Sequence, residues 1–209
     1  MKSVTAVAVR TTVVTLVLTG LIYPFVMTGL AQVLFPWRAD GSLVTDEKGQ
    51  VIGSELIAQG FANPAYFQPR PSAAGERGYD AANSSGSNLG PTSKKLQDRI
   101  KEDVKRLKAE NPDAVGAIPG ELVTTSGSGL DPHLSPAAML WQVPRVAKAR
   151  GVTPDRVRAV VDSNVEERTF GILGEPRVNV LLVNLALDRQ FGKATPLANQ
   201  EKSAVNKIN

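Results

Sequence analysis

Between Arg10 and Arg38 no side chain carries a charge: the run from Thr11 to Trp37 contains no Asp, Glu, Lys, Arg or His. A bilayer-spanning helix needs about 20 mainly apolar residues, and an ionised side chain at its centre costs roughly 2.5 to 3.5 kcal/mol. The run is long enough and free enough of charge to cross a membrane. It divides the chain into a short N-terminus (1–10), a transmembrane helix (11–37), an α+β domain (38–199) and a frayed polar tail (200–209).

The flanks suggest an orientation. Lys2, Arg10 and the α-amino group precede the run without an acid among them, whereas Arg38 is followed by Asp40, Asp46 and Glu47. Short basic flanks stay in the cytoplasm, so the N-terminus is expected inside and the domain outside, in the periplasm of a bacterial inner membrane. Phe35 and Trp37 then suit the outer interface. Pro24, Gly20 and Gly29 interrupt the span. Lipid tolerates them where neighbouring groups satisfy the freed carbonyls, which points to partner helices. A cleaved signal peptide competes, since Gly29-Leu30-Ala31 is a small-residue site. The apolar stretch, however, exceeds the roughly 7 to 15 residues of a signal core, so a retained anchor is favoured.

Composition narrows the remainder. The chain has 209 residues with 24 Lys and Arg against 20 Asp and Glu, a net charge of +4. Lys2 and Arg10 supply part of that surplus, leaving the domain near balance, a poor footprint for nucleic acid. With 0 cysteines there are no disulfides and no thiolate metal sites.

Local patterns predict the elements. Leu43-Val44 and Gln50-Val51-Ile52 around Thr45–Gly49 read as a β-hairpin opening the domain. Residues 60–92 are rich in Pro, Gly, Ser and Asn, yet carry Phe61, Tyr66, Phe67 and Tyr79, so an ordered, packed loop is expected. Leu96, Ile100, Val104 and Leu107 share one face of a helix starting at Ser93 and ending at Asn111-Pro112. Leu122–Thr125 reads as a short strand. Ser135-Pro136 caps a helix running to Arg150 with Gly151 beyond it, and Pro144 should kink or split it. Thr153-Pro154 starts another helix burying Val157, Val160 and Val161. Pro176 is expected to open a last helix with Val178, Leu181, Leu182 and Leu185 as its apolar stripe. Strands first and helices later, without a βαβ rhythm, give an α+β domain behind a single N-terminal transmembrane helix.

Catalytic constellations are scarce. His133 is the only histidine, which excludes multi-histidine zinc motifs. Ser126, Ser128, Asp131 and His133 hold the letters of a triad, but no G-x-S-x-G elbow exists, and Asp131-Pro132-His133 reads better as a rigid turn with the imidazole as a strut. The Ser84–Thr92 loop lacks the G-K-[ST] ending of a P-loop. It could still present amides to an anion at the Ser93 helix start. Ala147–Val157 has a helix-turn-helix outline that would expose Arg156 and Arg158, with an ordinary αα-hairpin as the favoured alternative.

Several ordered segments match one family. Gly53-Ser-Glu-Leu-Ile-Ala-Gln59, Tyr66-Phe-Gln-Pro-Arg-Pro-Ser-Ala-Ala74, Tyr79–Pro91, Ser126–His133, Arg145–Gly151 and Phe170–Val180 together resemble the C subunit of the Kdp potassium-transporting P-type ATPase. The resemblance implies a non-catalytic accessory subunit of an ATP-driven potassium importer. Implied partners are a channel-like potassium-binding subunit, a P-type ATPase subunit that hydrolyses ATP and a small single-span subunit. No intrinsic cofactor or metal is implied; potassium is the transported ion, and ATP enters through the ATPase subunit. The family is described as raising nucleotide affinity, with the glutamine matching Gln68 as a nucleotide contact. That conflicts with a domain on the side of the membrane without ATP. Arg70, Ser93, Asp131, His133, Glu175 and Arg177 are further candidates for partner or loop contacts, with Glu175 and Arg177 also read as a local ion pair beside Pro176. A membrane-tethered periplasmic binding or hydrolytic module acting alone is the alternative.

Overall fold

The computed structural model describes residues 2–46 and 48–194, Lys2 by its backbone alone. Glu47 and the expected tail (200–209) lie outside the described residues. The chain divides into two units, one ending at Ser54 and one beginning at Glu55.

The first unit is dominated by one apolar helix. α1 (Lys2–Val17), a π-turn (Leu18–Ile22) and α2 (Tyr23–Leu34) run on continuously. Its Ser3–Leu34 stretch of 32 residues is long and apolar enough to cross a membrane. The helix starts earlier than the expected segment and ends sooner, because Phe35 leaves helical geometry (φ −140°) ahead of Pro36. Proline disfavours helix at the residue before it. A short helix α3 (Pro36–Ala39) follows.

Pro24 is accommodated locally. A proline ring collides with the carbonyl four residues back, here Gly20. The preceding turn widens so that the Tyr23 amide donates to the Leu18 carbonyl. Thr15 Oγ1 donates to Thr11 O at 2.8 Å and Thr19 Oγ1 to Thr15 O at 2.7 Å, returning polar side chains to the backbone. The π-turn makes room for the proline ring without breaking the helix. The expected hairpin forms as β1 (Leu43–Thr45) and β2 (Val51–Ser54), antiparallel, with Val44 opposite Gly53. Asp46 Oδ1 accepts from the amides of Lys48 and Gln50, which closes the turn. The hairpin falls in the first unit, whereas the sequence pattern had put it at the start of the domain.

The second unit is α+β around one core. α4 (Lys94–Glu110) begins at Ser93, whose Oγ accepts from Leu96 N. α5 (Pro136–Arg150) begins at Ser135, whose Oγ accepts from Ala138 N, and ends at Gly151 with φ +65°. Left-handed geometry at that position is the reason a glycine stands there. Pro144 does not split α5, which stays one helix through it. α6 (Pro154–Ser163) buries Val157, Val160 and Val161 as expected, and packs with α5 as an αα-hairpin. Arg156 stacks on Phe191, 4.8 Å from the ring centre.

Two expected elements differ. Leu122–Thr125 is not a strand: Gly120–Leu122 is a 3₁₀ turn, and Thr124 Oγ1 donates back to Gly120 O at 2.8 Å, which curls the chain. Pro176 does not open a helix either. β3 (His133–Leu134), β4 (Val165–Glu166) and β5 (Arg177–Asn179) form an antiparallel sheet in the order β3-β5-β4. Val178 sits between Leu134 and Val165 with 0% exposure. Helix α7 (Val180–Phe191) starts only after Asn179, whose Oδ1 caps Leu182 N at 3.2 Å. The core joins Phe67, Leu107, Leu134, Met139, Val146, Val157, Val178, Val183 and Leu187.

Candidate functional site

The 55–92 segment has no helix and no strand beyond Glu55, yet it is fastened to the core residue by residue. Phe67, fully buried, donates its amide to Asn184 Oδ1 at 2.8 Å, and Asn184 Nδ2 donates to Phe67 O at 3.0 Å. One step on, Gln68 N donates to Gln142 Oε1 at 3.0 Å and Gln142 Nε2 to Gln68 O at 3.1 Å. Two helix-borne amides thus act on the loop as a neighbouring strand would, satisfying backbone groups that burial would otherwise leave unpaired.

Arg145 completes the attachment. Its Nε donates to Asn111 Oδ1 (2.8 Å), Nη1 to the carbonyls of Pro64 (2.6 Å) and Tyr66 (3.0 Å), and Nη2 to Gln142 Oε1 (2.6 Å). All these acceptors are neutral. Burial is the leading cause that pulls this guanidinium from 12.5 down to about 10. Arg150 does similar work with an equally enclosed side chain: it pairs with Asp188 at 2.8 Å, stacks on Tyr66 and donates to Ala65 O. Tyr66 Oη donates to Asp188 at 2.8 Å.

Gln68 therefore has its backbone occupied structurally, and the residue lines a cleft of about 480 Å³ with Phe61, Arg77, Tyr79 and Arg106. The Arg106 guanidinium is already committed to Asp103 (2.9 Å) and Glu110 (3.2 Å). Burial pushes the Tyr79 hydroxyl up to about 12, and that hydroxyl donates to Arg70 O at 2.9 Å. Ser93 is accounted for by its cap on α4.

Four of the other candidates meet in one row of charges. Arg70 Nη1 lies 3.2 Å from Asp131 Oδ2, and its Nε and Nη2 reach the carbonyls of Thr124 and Thr125. Asp131 Oδ1 faces His133 Nδ1 at 3.5 Å. His133 Nε2 faces Glu166 Oε1 at 4.0 Å, and Glu166 Oε2 pairs with Arg177 at 2.8 Å. The sheet makes this possible, because β3 and β4 flank β5 and set His133 and Glu166 on either side of it. The His133 ring, then its backbone amide and Arg70, hold the Asp131 carboxyl below the ordinary carboxylate range against partial burial. Glu166 was not singled out from the sequence.

The expected Glu175–Arg177 pair is not formed. Glu175 pairs instead with Arg168 at 2.5 Å, and Arg177 turns to Glu166 across the strand pair. A cross-strand partner lies directly opposite on the sheet, whereas Glu175 stands beyond Pro176, facing Arg168 at the base of the turn. Nor is a triad assembled. Both His133 nitrogens face carboxylates, and Ser126 Oγ and Ser128 Oγ bond to each other at 3.3 Å. Among the described residues no three His, Asp or Glu side chains gather to hold a metal ion. The arrangement suits ionic and shape recognition rather than bond making.

The loop that carries Ser126 and Ser128 is locked to the long segment. Ser72 Oγ donates to Gly129 O at 2.6 Å and Ser84 Oγ to Ser128 O at 3.0 Å. Gly129 has φ +68°, and a Cβ there would lie 2.3 Å from Ser85 O, so only glycine permits the approach.

A family model described as K+-transporting ATPase, c chain, matches residues 5–189. The chain is 66% identical over 185 residues to a potassium-transporting ATPase KdpC subunit of Myxococcus xanthus, covering 88% of this chain and 87% of that protein. It is 58% identical over 187 residues to the KdpC subunit of Rhodopseudomonas palustris strain BisB5, covering 84% and 92% respectively. For the Bradyrhizobium diazoefficiens KdpC subunit the identity is 57% over 187 residues, with the same 84% and 92% coverage.

Proposed function

The chain belongs to the KdpC family, the c chain of the K+-transporting ATPase, and we propose that it is the outward-facing assembly subunit of that pump. It is a subunit of a potassium-transporting complex rather than a catalytic enzyme in itself. On this reading the N-terminal helix anchors it in the bacterial inner membrane with Lys2 and Arg10 inside and the second unit in the periplasm. That unit holds the potassium-binding subunit and the ATP-hydrolysing subunit together, with the small single-span subunit as a further neighbour.

The observation that carries the proposal is the order of parts along the chain: one exposed 32-residue apolar helix with basic residues at its start, then a separate unit rich in ionic recognition groups. Protease added to intact spheroplasts is expected to remove the second unit and spare the helix. Full protection would overturn the orientation.

Any gain in nucleotide affinity is indirect on this reading, transmitted through assembly, because an outward unit does not meet cytoplasmic ATP. Gln68 supports it: its backbone is tied to Gln142, and its neighbour Arg106 is already paired. Gln68→Ala in the assembled pump is expected to leave the ATP dependence of hydrolysis unchanged. A marked rise in the ATP concentration needed would restore direct contact.

A further inference from the structure

The connection between β4 and β5 displays an apolar tip. Phe170 is 89% exposed, Ile172 75% and Leu173 58%. It is not slack chain. Thr169 and Leu173 bridge each other, Thr169 N to Leu173 O at 2.9 Å and Leu173 N to Thr169 O at 3.0 Å, while Gly171 N donates to Arg168 O at 2.9 Å. The Arg168–Glu175 ion pair closes the base at 2.5 Å. Phe170 has φ +55°, a region that bulky side chains avoid. The fold thus keeps an aromatic ring in water on a strained backbone and gains no core contact from it. Exposed apolar clusters and locally strained backbone are both hallmarks of binding surfaces.

The flanking charges choose the occupant. Glu166, Glu167 and Glu175 outweigh Arg168 and Arg177, and the tip itself is uncharged. Loops that dip into lipid ring their apolar tip with Lys and Arg to meet anionic headgroups, and this one has no cationic surplus. A neutral tip fits an uncharged recess on a protein, and the chain is a subunit of a protein complex. We propose that the Phe170–Leu173 tip is a rigid apolar plug that docks into an uncharged apolar recess on another subunit of the assembled pump. The proposal rests on the subunit reading above. A preformed turn loses little conformational freedom on docking. A few side chains make too small an interface to hold alone. A plug on a chain already anchored beside its partner needs less, because the shared membrane supplies high effective concentration.

The test replaces Phe170 with a photo-reactive phenylalanine analogue in the full chain, co-expressed with the other pump subunits and irradiated after purification of the complex. The expected result is an adduct with one other subunit, identified by mass spectrometry. An adduct with lipid or with a second copy of this chain, or no adduct in an intact complex, overturns the plug. A second variant, Phe170→Ser with Ile172→Ser, removes exposed groups only. It is expected to unfold at the wild-type temperature while losing retention in the complex by about tenfold or more, the scale of an aromatic anchor. Unchanged retention overturns the plug alone. A wild-type chain that brings down no other subunit overturns the subunit reading and the plug with it.

Discussion

Replacing Arg145 by methionine should unlatch the long segment from the helices beneath it. Arg145 is 7% exposed and makes four hydrogen bonds, to Asn111 Oδ1, Gln142 Oε1 and the carbonyls of Pro64 and Tyr66. Hydrogen bonds from a charged donor contribute roughly 1.5 to 3 kcal/mol each, so the lower end for the four is about 6 kcal/mol. Against this stands the burial that lowers the guanidinium from 12.5 to about 10. At 1.36 kcal/mol per tenfold, that opposes folding by roughly 3 kcal/mol, and methionine relieves it. The net loss is about 3 to 5 kcal/mol, because methionine also leaves the carbonyls of Pro64 and Tyr66 without their donor. With a urea slope of roughly 2 kcal/mol/M, the unfolding midpoint of the full chain in detergent should fall by about 2 M. Arg145→Lys should recover less than half, since a compact ammonium cannot reach acceptors spread around a planar fork. A shift for Arg145→Met below about 0.5 M would refute the view of this guanidinium as the internal tie of the loop.

Three further outcomes follow from the same geometry. Gly129→Ala places a Cβ 2.3 Å from Ser85 O at φ +68° and should destabilise by about 2 to 4 kcal/mol, whereas Gly116→Ala, at φ +90° with nothing within 4 Å, should cost about 1 kcal/mol; thermal unfolding of both compares them. Asp131 is held below its ordinary value, so its stabilisation is present above about pH 3.9 and is lost as pH falls through the lower folded value. The stability gap between wild type and Asp131→Asn, measured by urea unfolding, should close in that acid window and stay open near neutrality. Tyr79, pushed up to about 12, should ionise after an ordinary tyrosine in an absorbance titration, and Tyr79→Phe should remove that late phase. Its contribution to stability is complete below about pH 10 and fades as pH rises towards 12.

What the sequence discloses here is what local rules encode. The apolar run, the β1–β2 turn, the 3.6-residue period of α4 and the Ser93 and Ser135 caps each depend on neighbours within a few residues, and each forms. Val178 failed as a helix residue because its environment is set by Leu134 and Val165, strands far away in sequence. Asn179, a capping type just ahead of Val180-Leu181-Leu182-Val183, was the local signal for the true helix start.

Arg70, Asp131, His133 and Arg177 were legible as unusual residues, but their union into one row required Glu166, which sits in an ordinary polar stretch and acquires its role only when β4 pairs with β5. Arg145 offered a fainter clue: a cation on the same face of α5 as buried Trp141 and Gln142 marks a buried guanidinium in need of acceptors. Two of its acceptors, the carbonyls of Pro64 and Tyr66, come from the long segment, and no local pattern announces them.

The most direct test is capture of the tagged, full-length chain from membranes in mild detergent, with the co-eluting proteins identified by mass spectrometry. Elution together with the potassium-binding and ATP-hydrolysing subunits is the expected result. A chain that elutes alone from membranes containing those subunits would contradict its role as an assembly subunit of the pump.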